Sequence, residues 1–176
     1  MKIAIVGKMC SGKSTVANTL KRIDNRYQIY SFGNNVKKIA IELFDMKNKD
    51  RSLLINIAKK MKSIDQDVWI KSLIKNIDSD YCIIDDVRHQ NELDYLIKNN
   101  WFIIHLNIDK HNQHLRIKKL YPDNYQDHIN NKNDISEKCD QLIYPEGYPN
   151  LNINTVEDYK KTNMTLHSLL KNDKNI

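Results

Sequence analysis

The stretch Gly7-Lys8-Met9-Cys10-Ser11-Gly12-Lys13-Ser14 decides the fold of this 176-residue chain. It has the pattern G-x-x-x-x-G-K-[ST], whose glycines let the backbone curl so that successive N–H groups point at phosphate oxygens. The apolar run over residues 2–6 predicts a strand before it. The spacing of apolar residues over 13–23 predicts a helix after it, whose N-terminus favours anions. This order predicts a phosphate-binding P-loop; an ordinary glycine-containing turn between a strand and a helix is the alternative.

The P-loop pattern assigns chemistry to its residues. Lys13 is predicted to reach the β- and γ-phosphates of ATP as a catalytic residue, and the Ser14 hydroxyl is predicted to ligate Mg²⁺. The neighbouring residues are predicted to complete the ATP site: Gly7, Lys8, Met9, Cys10, Ser11, Gly12 and Thr15.

The composition bounds the class of protein. Hydrophobic residues make up 40% and charged residues 28% of the chain, which is ordinary for one globular domain. No apolar run approaches the roughly 20 residues that span a bilayer, so we expect no membrane span. The N-terminal apolar run before Gly7-Lys8 is too short for a signal peptide, so we expect none. The three cysteines, Cys10, Cys82 and Cys139, are far apart and odd in number, which argues against a disulfide framework. We therefore expect a reduced, cytoplasmic protein.

The net charge of +6 suits an anionic partner, either nucleic acid or small phosphates. Only five of the 28 basic residues are arginines. Abundant Lys, Asn and Ile indicate an A/T-rich genome, such as that of a large DNA virus, so the lysine excess says little about nucleic acid. Each arginine is correspondingly informative, because its planar fork binds phosphate in a way that lysine does not.

Predicted strands and helices alternate along the whole chain. Strands are predicted over residues 2–6, 28–32, 81–84, 101–108 and 151–153. Helices are predicted over 13–23, 34–45, 50–63, 66–77, 90–98 and 112–120, with a final helix capped by Thr155 and Asp158 and ending near Leu170. This alternation predicts an α/β fold: a parallel sheet with helices on both faces.

The predicted strand at 81–84 leads into Asp85-Asp86-Val87-Arg88. An acid at the carboxyl end of a strand beside a P-loop is the usual place for a carboxylate that organises Mg²⁺. Both Asp85 and Asp86 are therefore candidates for the metal site. Arg88 is predicted to point toward the phosphates as a catalytic residue, and a surface salt bridge with Glu92 is the alternative.

Several short segments resemble one family in their order along the chain. Together they are similar to the bacteriophage-type deoxynucleoside monophosphate kinases, and the resemblance runs from the P-loop to Asn154. The segments are Ser31-Phe32-Gly33 with Val36-Lys37, Arg51-Ser52-Leu53-Leu54, Asp67-Val68-Trp69, Asp86-Val87-Arg88 with Asn91-Glu92, and Ser136-Glu137 with Asp140. Animal phosphomevalonate kinases share parts of this layout.

The resemblance implies a P-loop kinase with a core, an acceptor-binding helical segment at about 33–77 and a lid at about 109–140. It favours Asp86 over Asp85 as the acid of the family. It also implies a set of acceptor-binding residues: Phe32, Lys37, Arg51, Trp69, Asp86 and Arg88. For Phe32 and Trp69, packing in the core is the alternative. Asn154 is expected to bind ATP.

Arg116 is the only arginine in the polar stretch 109–140. A guanidinium can make two parallel hydrogen bonds to phosphate oxygens. We therefore predict that Arg116 binds ATP and acts catalytically from the lid; a solvated surface arginine is the alternative.

These observations favour a nucleotide kinase that uses ATP and Mg²⁺ to phosphorylate a deoxynucleoside monophosphate. A phosphomevalonate-type metabolite kinase and a nucleic-acid-associated P-loop ATPase are the alternatives. The expected partners are ATP and a nucleoside monophosphate, with neither a membrane nor nucleic acid. The oligomeric state stays open, with a homodimer as one candidate.

Overall fold

The computed structural model describes residues 1–131, 134–154 and 159–173, with the backbone alone at 159–162 and 172–173. The helix cap predicted at Thr155 and Asp158 lies outside these residues. Within them, no helix is both long and apolar enough to cross a membrane.

Strands and helices alternate in the described residues as the sequence predicts. The strands are β1 (Ile3–Gly7), β2 (Gln28–Tyr30), β3 (Cys82–Val87), β4 (Phe102–Asn107) and β5 (Asn150–Asn154). The helices are α1 (Lys13–Ile23), α2 (Gly33–Phe44), α3 (Arg51–Ile64), α4 (Val68–Ile74), α5 (Gln90–Lys98), α6 (Lys110–Leu120), α7 (Tyr125–Asn130) and α8 (Tyr159–Asp173). Two short 3₁₀ turns, Ile135–Glu137 and Cys139–Gln141, precede β5.

The five strands form one parallel sheet in the order β2-β3-β1-β4-β5. Strand β1 lies between β3 and β4, with Ile3 paired to Ile83 on one side and to Phe102 on the other. The carboxyl ends of β1 and β3 are therefore neighbours. This arrangement brings the P-loop beside the acids that end β3.

Helices cover both faces of the sheet, which confirms the predicted α/β class. Strand β1 is fully buried, with Ile3 and Ile5 facing one core cluster and Ala4 and Val6 facing the other. Helices α1 and α8 close the first cluster, and α2 to α5 close the second. Burial on both faces explains why the central strands β1, β3 and β4 contain continuous apolar runs, whereas the edge strand β5 alternates between Asn and apolar residues.

The structure differs from the predicted elements mainly around β3 and after α6. Strand β3 extends to Val87, because Val87 pairs with Val6 after an irregularity in the register. The two acids at positions 85 and 86 therefore belong to the strand instead of following it. Helix α7 was not predicted, since its six residues are mostly polar and lack an apolar period.

Candidate active site

The P-loop backbone depends on its two glycines. Gly7 has φ +156°, and a Cβ there would lie 2.6 Å from Ser11 Oγ and 2.9 Å from the Leu106 carbonyl oxygen. Gly12 adopts a left-handed conformation at φ 102° immediately before α1. Gly12 has no side chain that could cap the helix, so the first N–H groups of α1 are left for a bound anion.

Lys13 lies buried along the inside of the loop. Its Nζ donates hydrogen bonds to the carbonyl oxygens of Gly7, at 2.6 Å, and Lys8, at 2.7 Å. Burial and the nearby charge of Arg88 lower the pKa of Lys13 to about 7. Within the described residues, the Lys13 ammonium donates to these two backbone carbonyls and forms no salt bridge with a carboxylate.

Ser14 and Asp85 form the contact between the P-loop and β3. The Ser14 hydroxyl donates to Asp85 Oδ2 at 2.8 Å. Burial, and then the charge of Asp86, raises the pKa of Asp85. A hydroxyl and a carboxylate side by side supply the oxygen ligands that Mg²⁺ prefers.

Asp86 points the other way, toward the start of α2. Its carboxylate accepts hydrogen bonds from Ser31 Oγ at 2.6 Å and from the backbone N–H groups of Phe32 and Gly33, each at 2.8 Å. These three hydrogen bonds use both oxygens of the carboxylate, and they hold the backbone between β2 and α2 in place. The geometry therefore does not support the preference for Asp86 over Asp85 as the metal-organising acid.

No group of three or more His, Cys, Asp or Glu side chains in the described part of the chain could hold a metal ion alone. Ser14 and Asp85 fit a Mg²⁺ ion whose remaining ligands are phosphate oxygens and water, which is how this ion is usually bound beside a nucleotide.

One cavity of about 720 Å³ joins the P-loop to helices α3 and α4. Its walls include loop residues Met9 to Thr15, Asp85 and Arg116. They also include the six residues predicted to bind the acceptor: Phe32, Lys37, Arg51, Trp69, Asp86 and Arg88. The tertiary structure thus places most of the predicted ATP site and the predicted acceptor site in the walls of one cavity.

Three predicted ATP residues lie outside the cavity walls. Gly7 and Lys8 form the base of the loop, where their carbonyls hold Lys13. Asn154 is exposed at the end of β5.

The predicted acceptor aromatics, Phe32 and Trp69, are each 5% exposed and belong to the hydrophobic core. Both also form part of the cavity wall. Core packing and a contact with substrate are therefore compatible at these two positions.

Arg51 and Arg88 converge on one carboxylate, that of Glu137. Arg51 Nη2 donates to Glu137 Oε1 at 2.8 Å and to Ser136 Oγ at 2.9 Å. Arg88 Nη1 also donates to Glu137 Oε1 and lies 3.2 Å from the Ser136 carbonyl oxygen. Arg88 does not form the alternative side-chain bridge with Glu92, which instead accepts the Arg88 backbone N–H at 2.9 Å.

Glu137 was not among the predicted site residues, although it lies in the short Ser136-Glu137 segment that carries the family resemblance. A second set of missed residues is cationic: Lys49, Lys59 and Lys62 line the same cavity as the predicted acceptor-binding residues. Burial lowers the pKa of Lys49 to about 8, and the charges of Arg88, Arg51 and Lys37 add to the effect. Only proximity in space identifies them, because lysine is common throughout the sequence.

The segment predicted to be a lid contacts the P-loop through α6. Arg116 Nη1 donates to the Cys10 carbonyl oxygen at 3.2 Å, and Gln113 Nε2 donates to the Met9 carbonyl oxygen at 3.0 Å. Arg116 therefore reaches the loop that is predicted to hold ATP.

Comparison with known proteins identifies the family. A family model described as an AAA domain matches residues 3–139. The chain belongs to this family. No curated protein sequence matches the chain.

Solved structures of similar fold are P-loop kinases with different acceptors. A gluconokinase from Sinorhizobium meliloti 1021 is 12% identical, with a TM-score of 0.59 over 99% of this chain and 95% of that one. A deoxyadenosine kinase from M. mycoides, with products dCMP and dCDP bound, is 20% identical, with a TM-score of 0.54 over 99% of both chains. A shikimate kinase from Bacteroides thetaiotaomicron is 15% identical, with a TM-score of 0.50 over 100% and 99% of the two chains. The family member described here thus has the fold of P-loop kinases.

Proposed function

We propose that this protein is an ATP-dependent kinase that transfers the γ-phosphoryl group to a nucleoside monophosphate, with deoxynucleotides as the first candidates. The observation that carries the proposal is the cavity itself. The P-loop with Ser14 and Asp85 (the phosphate end) and a pair of arginines, Arg51 and Arg88 (the acceptor end), line the same cavity. Such an arrangement fits a triphosphate donor opposite an acceptor that already carries a phosphate.

The acceptor end has unused capacity for an anion. Two guanidinium groups share one carboxylate, so a net positive charge remains. Arg51 Nε is buried and has no hydrogen-bond partner in the described structure. A buried donor without a partner is costly, and a phosphate oxygen would satisfy it.

The wall formed by Phe32 and Trp69 supports a nucleoside as the rest of the acceptor. An aromatic surface can hold a flat base by stacking, as aromatic side chains do with single-stranded nucleic acid. The resemblance to bacteriophage-type deoxynucleoside monophosphate kinases supports the same acceptor.

Transfer would proceed by attack of an acceptor phosphate oxygen on the γ-phosphorus of ATP. A bond forms between that oxygen and the γ-phosphorus, and the bond from the γ-phosphorus to the β–γ bridging oxygen breaks, releasing ADP. The acceptor oxygen is already anionic, so no general base is needed. Catalysis then depends on positioning and on positive charge.

Each end of the cavity has its part in this transfer. The P-loop amides and Lys13 would hold the β- and γ-phosphates, while Arg88 and Arg51 hold the acceptor phosphate. Ser14 and Asp85 would hold Mg²⁺, which neutralises the developing charge on the phosphates. Arg116 would contact the ATP phosphates from the lid, and residues 109–140 would exclude water from the site.

A phosphomevalonate-type metabolite kinase is the second candidate, because the acceptor side is strongly cationic. Lys37, Lys49, Lys59 and Lys62 join the two arginines in lining it. Lys62 Nζ is buried without a hydrogen-bond partner in the described structure and lies 3.5 Å from Glu92. Such a wall would also suit an acceptor that carries a carboxylate.

The deciding experiment supplies ATP and Mg²⁺ with each deoxy- and ribonucleoside monophosphate and with phosphomevalonate, and measures ADP and the phosphorylated product. We expect a diphosphate from at least one deoxynucleoside monophosphate, formed at least about 10²-fold more slowly by Lys13→Ala prepared in parallel. Turnover of phosphomevalonate alone would select the second candidate. ADP formation that responds only to DNA or RNA would contradict both and indicate an ATPase.

A further inference from the structure

Glu137 is the most highly connected buried acid next to the cavity. Its side chain is 2% exposed, and both carboxylate oxygens are fully used. Oε1 accepts from Arg51 and Arg88, and Oε2 accepts from the Met9 backbone N–H at 2.8 Å and from Gln113 Nε2 at 3.3 Å.

The four donors come from four different parts of the fold. Arg51 begins α3, Arg88 follows β3, Met9 belongs to the P-loop and Gln113 lies on α6. One carboxylate therefore fixes the distance between the phosphate-binding loop and the two guanidinium groups. Reaction rates depend steeply on such a distance, since the donor and acceptor phosphates must meet in line.

The charge balance argues against a direct role for Glu137 on the substrate. A carboxylate repels the anionic acceptor, and this one has no free lone pair with which to accept a proton. Burial alone would raise the pKa of Glu137, but the charges of Arg88 and Arg51 outweigh it and hold the pKa below the ordinary value. The acid therefore stays ionised, bound to its four donors.

We propose that Glu137 is a positioning residue for phosphoryl transfer, which holds Arg51 and Arg88 at a fixed distance from the P-loop. This inference rests on the proposed function, because it takes the acceptor phosphate to bind the two arginines. Glu137 acts through the arginines and does not touch the substrate.

Positioning and simple charge predict opposite results for Glu137→Gln. The substitution removes one negative charge from the neighbourhood of the acceptor phosphate, so charge alone predicts tighter acceptor binding. The amide NH₂ of the glutamine side chain cannot accept the hydrogen bonds from Met9 and Gln113 that Glu137 Oε2 accepts. Positioning therefore predicts slower transfer and weaker acceptor binding despite the more favourable charge.

The test compares wild type, Glu137→Gln and the matched control Glu146→Gln, whose glutamate is exposed on the surface. For Glu137→Gln we expect kcat to fall by about 10²-fold and the acceptor KM to rise, while the ATP KM changes by a smaller factor. The control should match wild type. A kcat within about threefold of wild type, or a lowered acceptor KM, would overturn the proposal.

Glu137→Asp covers the case in which Glu137→Gln does not fold. It keeps the charge but is one methylene shorter, so it cannot keep all four contacts. We expect it to lose kcat as well; wild-type kcat in this variant would show that Glu137 only balances charge.

A second readout does not need turnover and separates this inference from the proposed function. With ADP held at a saturating concentration, so that the P-loop is occupied, and inorganic phosphate as the probe, we expect a phosphate-dependent rise in Tm for wild type and a smaller rise for Glu137→Gln. An equal or larger rise in the variant, or none in wild type, overturns the positioning role. Absence of turnover by wild type with any nucleoside monophosphate would instead overturn the proposed function.

Discussion

The two ends of the cavity are built in different ways. The phosphate end consists of eight consecutive residues, whose backbone direction is set by two glycines and whose backbone N–H groups would bind the phosphates. The acceptor end consists of charged side chains from α3, from Arg88 directly after β3 and from the 3₁₀ turn at Ile135–Glu137. A local loop needs only its own sequence, whereas the acceptor end needs the whole fold and a buried acid to hold its cations together.

The largest expected effect lies at the phosphate end. Lys13→Ala should lower kcat by about 10²–10³-fold, because it removes a preorganised charge from the transferring phosphate. The fold should remain, since the Lys13 ammonium contacts only loop carbonyls. Steady-state kinetics and thermal unfolding measure the two properties, with Lys21→Ala on the same helix as the control. Near-native turnover by a folded Lys13→Ala protein would remove the P-loop from the mechanism.

A substitution at the acceptor end should raise the acceptor KM more than it weakens ATP binding. Arg51→Lys keeps the charge but loses the planar fork that contacts Ser136 and Glu137, so the acceptor KM should rise by about 10–10²-fold. The dissociation constant for ATP should stay close to wild type. Titration of each substrate at a saturating level of the other gives both values. A loss confined to ATP binding would show that the two ends are not separate sites.

The neighbouring acids Asp85 and Asp86 sharpen the comparison, because Asp85 contacts the P-loop and Asp86 contacts the start of α2. Asp85→Asn should raise the Mg²⁺ concentration needed for half-maximal activity by about tenfold, since the Asp85 carboxylate accepts a hydrogen bond from the Ser14 hydroxyl. Asp86→Asn should instead cost about 1–3 kcal/mol of stability, since Asp86 accepts three hydrogen bonds at the start of α2. Mg²⁺ titrations and denaturant unfolding of both variants test this. The reverse result would restore Asp86 as the metal-organising acid.

The smallest expected effect is a pH dependence of ATP binding. The pKa of Lys13 is about 7 in the free protein, and bound phosphates would raise it. Below pH 7 Lys13 is already protonated. Above pH 7 binding must take up a proton, so the affinity should fall as pH rises, by less than about tenfold between pH 7 and 8.

Calorimetric titration in two buffers of different ionisation enthalpy detects this proton uptake directly. Lys13→Ala should abolish the difference between the buffers. An ATP affinity that is independent of pH and of buffer would show that Lys13 is already charged in the free protein.

Much of the fold could be predicted because its determinants are local. The P-loop pattern, the apolar strand runs and the helical spacing each lie within a short window, and together they place α1 at the residues observed. The end of β3 could not be predicted in the same way, because the pairing of Val87 with Val6 depends on a strand more than 80 positions away. The polar helix α7 was missed, since it contacts α3 and α6 and lacks a period of its own.

The sequence by itself determined the α/β class, the P-loop and the list of arginines worth locating. Only the tertiary structure decided which acid faces Ser14, since adjacent residues of a strand point in opposite directions and a one-residue choice reverses their roles. Only the tertiary structure also revealed Glu137 and the lysines at the acceptor end. Their importance comes from charges brought together in a buried space, and a linear pattern does not contain that information.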